Sequence, residues 1–208
     1  LAQVVAVYEA AANLSASRYG ARRLTADEGG LAPPFENIPS MFDMAIEAIE
    51  AAGLIPGEDV SLALDVAASH FYADGHYLVD AEALSPTAMI DTLDQWCHHW
   101  PIVSLEDGLA EEDWSHWPRL RRRLAPRVLT LGDDLLCTNP ARISKALDTG
   151  ACDALLLKVN QIGTLTEALE ARQLARSGGW QVTISARSGE TEDTWLADLA
   201  VGWGADQI

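Results

Sequence analysis

Ala154-Leu155-Leu156-Leu157-Lys158 decides how this chain folds. Four apolar residues in a row, with no polar alternation, read as a strand buried on both faces, the kind that parallel sheets contain. The run ends on a lysine. Three other segments repeat the design with an acid in that place. Ser61-Leu62-Ala63-Leu64 runs into Asp65, and Pro101-Ile102-Val103-Ser104-Leu105 runs into Glu106. Val128-Leu129-Thr130-Leu131-Gly132 runs into Asp133, and a fifth strand is expected from Gln181 to Ser185. Charged residues at the carboxyl ends of successive parallel strands converge on one mouth, the face where barrel enzymes keep their chemistry.

Helices alternate with these strands. An opening amphipathic helix over 1–17 presents Val4, Val7, Tyr8, Ala11 and Leu14 on one face. A second over 40–52 turns Phe42, Ala45, Ile46 and Ile49 inward and stops at Gly53. Ser85 and Pro86 suit the N-cap and first position of a third, which buries Met89, Ile90, Leu93 and Trp96. Asn139-Pro140 repeats that chemistry before Ile143, Ala146 and Leu147, with Gly150 as the stop. Thr164 and Glu167 form a capping box ahead of Leu165, Ala168, Leu169 and Ala175. The alternation implies an α/β fold of βα units with right-handed crossovers. The charged strand ends lie roughly 25 to 40 positions apart, about one unit each. A barrel and an open doubly wound sheet share that period; the lack of a Gly-x-Gly-x-x-Gly after any strand favours the barrel.

Across 208 residues, 31 acids face 14 basic residues, a formal charge of −17. That length holds one substantial core. No basic stripe offers a nucleic-acid footprint, which argues against that partner. The acidity reads as a well-solvated surface. No segment has the layout of a membrane span or a secretory signal. Cys97, Cys137 and Cys152 are odd in number and lack metal-ligand spacing, so they read as reduced thiols of a cytoplasmic protein. His70, His76, His98, His99 and His116 likewise show no ligand spacing, and tryptophans such as Trp96, Trp100 and Trp195 read as packing. The chain begins at Leu1 and ends at Ile208 just after a short helix; both ends are expected to be cuts, leaving one partial barrel domain over 1–208.

Asp65, Glu106 and Asp133 offer oxygen ligands only, so a metal held by them should be hard, and Mg²⁺ suits a site of few carboxylates. A single strand-end acid is more simply a cap or a solvated loop residue; three at equivalent ends fit that reading poorly. Asp134 reads as a supporting or capping acid. Lys158, after three leucines, is either a base with a pKa lowered by desolvation or the ion-pair partner of a neighbouring carboxylate. Glu28, in Asp27-Glu28-Gly29-Gly30, is either a general acid or an ordinary loop carboxylate. Arg187 and Ser188, after the fifth strand, suit a phosphate.

Six segments in order resemble the enolase family. Asp27-Glu28-Gly29-Gly30-Leu31-Ala32-Pro33 is similar to its acidic glycine loop. Leu64-Asp65-Val66-Ala67-Ala68-Ser69, Ser104-Leu105-Glu106-Asp107 and Gly132-Asp133-Asp134-Leu135 resemble its three metal segments. Leu157-Lys158-Val159-Asn160-Gln161-Ile162-Gly163-Thr164 resembles its lysine segment, and Arg187-Ser188-Gly189-Glu190-Thr191-Glu192-Asp193 its phosphate-side loop.

The resemblance implies an enolase-type (β/α)8 TIM barrel, incomplete in this window, behind a smaller amino-terminal domain that lies outside it. It implies a lyase of glycolysis that interconverts 2-phosphoglycerate and phosphoenolpyruvate through a metal-stabilised aci-carboxylate. Asp65, Glu106 and Asp133 would hold Mg²⁺, Lys158 would take the C2 proton, Glu28 would serve the acid side, and Arg187 with Ser188 would hold the phosphate. The substrate would be a small phosphorylated carboxylic acid, and the full-length protein a homo-oligomer in the cytoplasm. Three positions depart from the family pattern: Ala186 stands where a histidine is usual, His70 where an acid is, and Ala26 where a glycine is. Ala186 keeps a second reading open, a paralogue with altered chemistry such as carboxyphosphonoenolpyruvate synthase. A barrel acting by binding alone is the third.

Overall fold

The apolar runs that end on charged residues pair side by side as parallel strands in a computed structural model of the chain, which describes residues 1–20, 26 and 29–208. Two compact units result, Leu1–Leu62 and Ala63–Ile208. Glu28 and Asp27 lie outside the described residues.

In the first unit α1 (Ala2–Tyr19) packs on α2 (Ile38–Ala51). The expected face of α1 is partly kept, with Val7, Tyr8, Ala11 and Leu14 half-buried, but Val4 is 64% exposed and full burial falls beside it on Ala12 and Ser15. Small side chains let two helices approach closely, so the contact follows residue size as well as hydropathy. α2 starts earlier than the apolar pattern suggests because Asn37 takes the cap. Its side chain accepts the Ser40 N–H at 2.9 Å while the Asn37 N–H reaches back to the Ser40 hydroxyl, a reciprocal box. Phe42 and Ile49 are buried as expected, joined by Met44 and Ala48.

The second unit is built on β1 (Leu62–Asp65), which is followed by a small antiparallel sheet of β2 (Tyr72–Ala73), β3 (His76–Val79) and β4 (Glu82–Leu84). Asp74-Gly75 and Asp80-Ala81, all at positive φ, make its two-residue turns. Helix and strand then alternate: α3 (Pro86–His99), β5 (Ile102–Glu106), α4 (Trp117–Leu124), β6 (Leu129–Gly132), α5 (Pro140–Thr149) and β7 (Ala154–Leu157). The short α6 (Val159–Ile162), α7 (Leu165–Ser177), β8 (Gln181–Ile184) and α8 (Trp195–Gly202) complete it. The parallel sheet runs β1-β5-β6-β7-β8, so its strands follow chain order without reversal. An open doubly wound sheet reverses at a switch point, and consecutive staves are the barrel's order. Five staves are present among the described residues, and the ring is not closed. Beyond β8, Gln207 adds a parallel bridge to Thr183, and the Ile184 N–H donates to the Gln207 carbonyl at 3.1 Å.

Burial on both faces holds for β6, β7 and β8, where nearly every residue is buried. It does not hold for β1, whose residues alternate between half-buried and exposed, nor for Val103 of β5, which is 48% exposed. β1 has only β5 beside it in the sheet order, and an edge strand loses the cover that two neighbours supply. α7 covers β7 and β8 through Ala168, Ala171 and Ala175, while Leu165, expected inside, is 52% exposed in its first turn. Ser85 and Asn139 cap α3 and α5 as read. Thr164 accepts the Glu167 N–H at 3.2 Å but donates its hydroxyl to the Glu167 carboxylate at 2.7 Å, in place of the reciprocal bond of a full box. No described helix is long and apolar enough to cross a membrane.

Candidate active site

Each strand of the parallel sheet delivers its last residue, or the next one, to the carboxyl end of the sheet. That places Asp65 and Glu106 as the final residues of β1 and β5, and Asp133 and Lys158 directly after β6 and β7. The backbone ties the rows together: the Val66 N–H donates to the Glu106 carbonyl at 3.0 Å, and the Asp107 N–H to the Leu131 carbonyl at 3.1 Å. Lys158 pairs its ammonium with Asp133 Oδ2. Both side chains are nearly buried, so this ion pair is poorly screened by solvent. Of the two sequence readings of Lys158, the ion-paired one is the geometry observed.

Three residues that the sequence reading passed over hold this pair in place. Gln161 donates from Nε2 to Asp133 Oδ1 at 2.8 Å. Thr138 accepts the Lys158 N–H at 2.9 Å and donates its hydroxyl to Gln161 Oε1 at 2.7 Å. Asp107 accepts the N–H groups of Asp133 (2.9 Å) and Asp134 (2.7 Å), one on each carboxylate oxygen. The signal for Asp107 was its place beside Glu106, and for Gln161 its place one turn beyond Lys158. The backbone is strained at the same end of the sheet. Ala67 (φ 46°), Asp107 (φ 42°), Cys137 (φ 48°) and Thr138 (φ 52°) are non-glycine residues in the left-handed region. Such positions cost about 1–3 kcal/mol each and cluster where structure serves a site.

The electrostatics is dominated by acids. Burial pushes Glu106 up to about 8, reinforced by repulsion from Asp65, Asp133 and Asp107 and offset in part by Lys158. Burial pushes Asp107 up to about 7 against the pull of its two backbone bonds. Asp65 is an exposed residue, yet the protein around its carboxylate desolvates it enough to raise its pKa, against the Ala67 N–H that it accepts at 3.0 Å. Among the described residues, five carboxylates thus share one mouth with the Lys158 ammonium. An all-oxygen donor set with excess negative charge in a partly desolvated place suits a hard divalent cation.

Among the described residues, the carboxylates whose oxygens all lie within 4.8 Å of one another are Asp107, Asp133 and Asp134. Asp65, Glu106 and Asp133 do not approach one another that closely, so the expected ligand trio shares one mouth without converging on one point.

Arg187 and Ser188 lie exposed in the loop after β8, at the same end of the sheet. Glu190 anchors that loop beside the lysine segment, accepting the Arg187 N–H and the Asn160 side-chain amide, each at 3.0 Å. Gly132 is required by packing. A Cβ there would stand 2.8 Å from Leu136 Cγ, and Leu136 is fully buried. Gly132→Ala should cost about 1–3 kcal/mol by overpacking, read as a lowered midpoint in urea. A parent-like midpoint would show that Leu136 moves aside freely.

The family described as enolase, C-terminal TIM barrel domain, matches the chain over residues 1–208.

Proposed function

The chain belongs to the enolase C-terminal TIM barrel family, and from that premise we propose that it is the catalytic barrel of a Mg²⁺-dependent hydratase interconverting 2-phosphoglycerate and phosphoenolpyruvate. The observation that carries the reading is the lysine–carboxylate pair of Lys158 and Asp133, set among Asp65 and Glu106 at the ends of consecutive parallel strands. A proton on a carbon beside a carboxylate is very weakly acidic, and removing it needs both a positioned base and positive charge near the developing dianion.

Lys158 is the base in this reading. To act as base, its ammonium must first release a proton to solvent and leave Asp133, and the short link through Thr138 and Gln161 keeps the segment aimed while that happens. Asp65, Glu106 and Asp133 would hold the Mg²⁺ once drawn together by it, with Asp134 as a further acid beside Asp133. A divalent cation bound there would supply positive charge beside the substrate carboxylate, favouring loss of the C2 proton to Lys158. Arg187 and Ser188 would receive the phosphate from the loop after β8, the guanidinium by paired N–H bonds. Glu28 would serve the acid side at C3.

Ala186 supports a second reading, a paralogue that exchanges the C2 proton but dehydrates poorly. A methyl group neither donates to a substrate oxygen nor tunes a neighbouring acid. The test is the full-length protein with 2-phosphoglycerate and Mg²⁺, following product absorbance and C2 exchange in parallel. Fast dehydration ends the paralogue reading. Exchange without dehydration, restored by Ala186→His, establishes it. Neither exchange nor dehydration sinks the hydratase.

A further inference from the structure

Resting on the cation site proposed above, we propose that Asp107 and Gln161 are its positioning residues, Asp107 setting the backbone that carries Asp133 and Gln161 setting the plane of the Asp133 carboxylate.

Asp107 meets β6 and the two residues that follow it at three points. Its N–H donates to the Leu131 carbonyl at 3.1 Å, and its two oxygens accept the N–H groups of Asp133 and Asp134 at 2.9 and 2.7 Å. Both oxygens are therefore turned to main-chain donors, although one of them lies within 4.8 Å of an oxygen of Asp133 and of Asp134. The residue is 5% exposed and sits at φ 42°. A left-handed backbone is uncommon outside glycine, and three hydrogen bonds hold it here. No bond within a single strand could do the same, since β5 and β6 must be held in register at their last residues.

Gln161 has its amide direction dictated. Thr138 Oγ1 already accepts the Lys158 N–H, so its hydroxyl hydrogen is free to go to Gln161 Oε1. With its carbonyl so engaged, the amide presents its NH₂ to Asp133 Oδ1 at 2.8 Å. Thr138 is fully buried and itself at φ 52°, so the relay has little freedom to turn. Asp133 is thus braced through its backbone by Asp107 and through one oxygen by Gln161, while its other oxygen faces Lys158.

The test uses the full-length protein with two variants, Asp107→Asn and Gln161→Leu, and Mg²⁺ alone as the probe. Groups that orient metal ligands typically carry 10–100-fold in affinity, and calorimetry should show that loss in both variants. Without Mg²⁺, amide exchange at Asp133 and Asp134 should quicken in Asp107→Asn and stay parent-like in Gln161→Leu. Melting temperatures should hold to within a few degrees in both variants, because the bonds removed lie at the carboxyl end of the sheet, past its buried strands. Faster metal-free exchange is also what separates a brace from a ligand, since a ligand role leaves the metal-free amides unchanged. Parent-like affinity in both variants overturns the proposal, as does an affinity loss matched by a fall in melting temperature. If the parent binds no Mg²⁺, the cation site itself fails, and the positioning role fails with it.

Discussion

Lys158→Ala should slow exchange of the C2 proton of 2-phosphoglycerate with solvent deuterium by at least ~10²-fold, the usual loss on removing a positioned base. The effect is expected to be large because Lys158 is, among the described residues, the ammonium set among the carboxylates at this mouth. Its burial against Asp133 also keeps bulk water from acting in its place. The variant should keep its fold, since β7 itself is Ala154–Leu157 and the lysine lies just past it. Proton NMR in deuterium oxide reads the exchange directly and separates it from dehydration. Exchange at the parent rate in Lys158→Ala would remove the centre of the mechanism.

Mg²⁺ should bind more tightly as pH rises toward 8, and Ala replacement of Asp65, Glu106 or Asp133 should weaken it. Burial pushes Glu106 up to about 8 and Asp107 up to about 7, both above their unfolded values of roughly 4. A carboxyl whose folded pKa is raised contributes stability below its unfolded pKa and loses it as pH rises through the folded pKa. Without Mg²⁺, these two groups should therefore draw the melting temperature down between about pH 4 and 8. Mg²⁺ binds the deprotonated form and releases those protons, so its stabilisation should be small at pH 5 and largest near pH 8. Calorimetry in buffers of different ionisation enthalpy counts the protons released. Parent-like Mg²⁺ binding in all three Ala variants would move the site elsewhere, and a pH-independent affinity would contradict the raised carboxyls.

The staves and their order of charges were legible because a strand buried in a parallel sheet must be apolar along its length, as Leu155, Leu156 and Leu157 are. The caps at Ser85 and Asn139 were legible because their chemistry is local, a side-chain oxygen accepting an N–H two or three residues on. The face of α1 was legible only in part, because a sequence ranks Val4 above Ala12 by hydropathy while packing ranks them by fit. The same limit hid the exposure of β1, which stands at the edge of the sheet beside β5 alone, and of Val103, which is exposed although β5 has a strand on either side.

The sequence by itself determined that three acids and a lysine end successive parallel strands, and so share one end of the fold. Only the tertiary structure decided which groups touch: that Lys158 pairs with Asp133, that Gln161 and Thr138 link them, and that Asp107 turns inward to bond β6. The reason is physical. Periodicity reports which side of a strand a residue occupies, whereas a hydrogen bond across strands depends on register, rotamer and a backbone twist such as the left-handed Asp107, none of which has a one-dimensional signature.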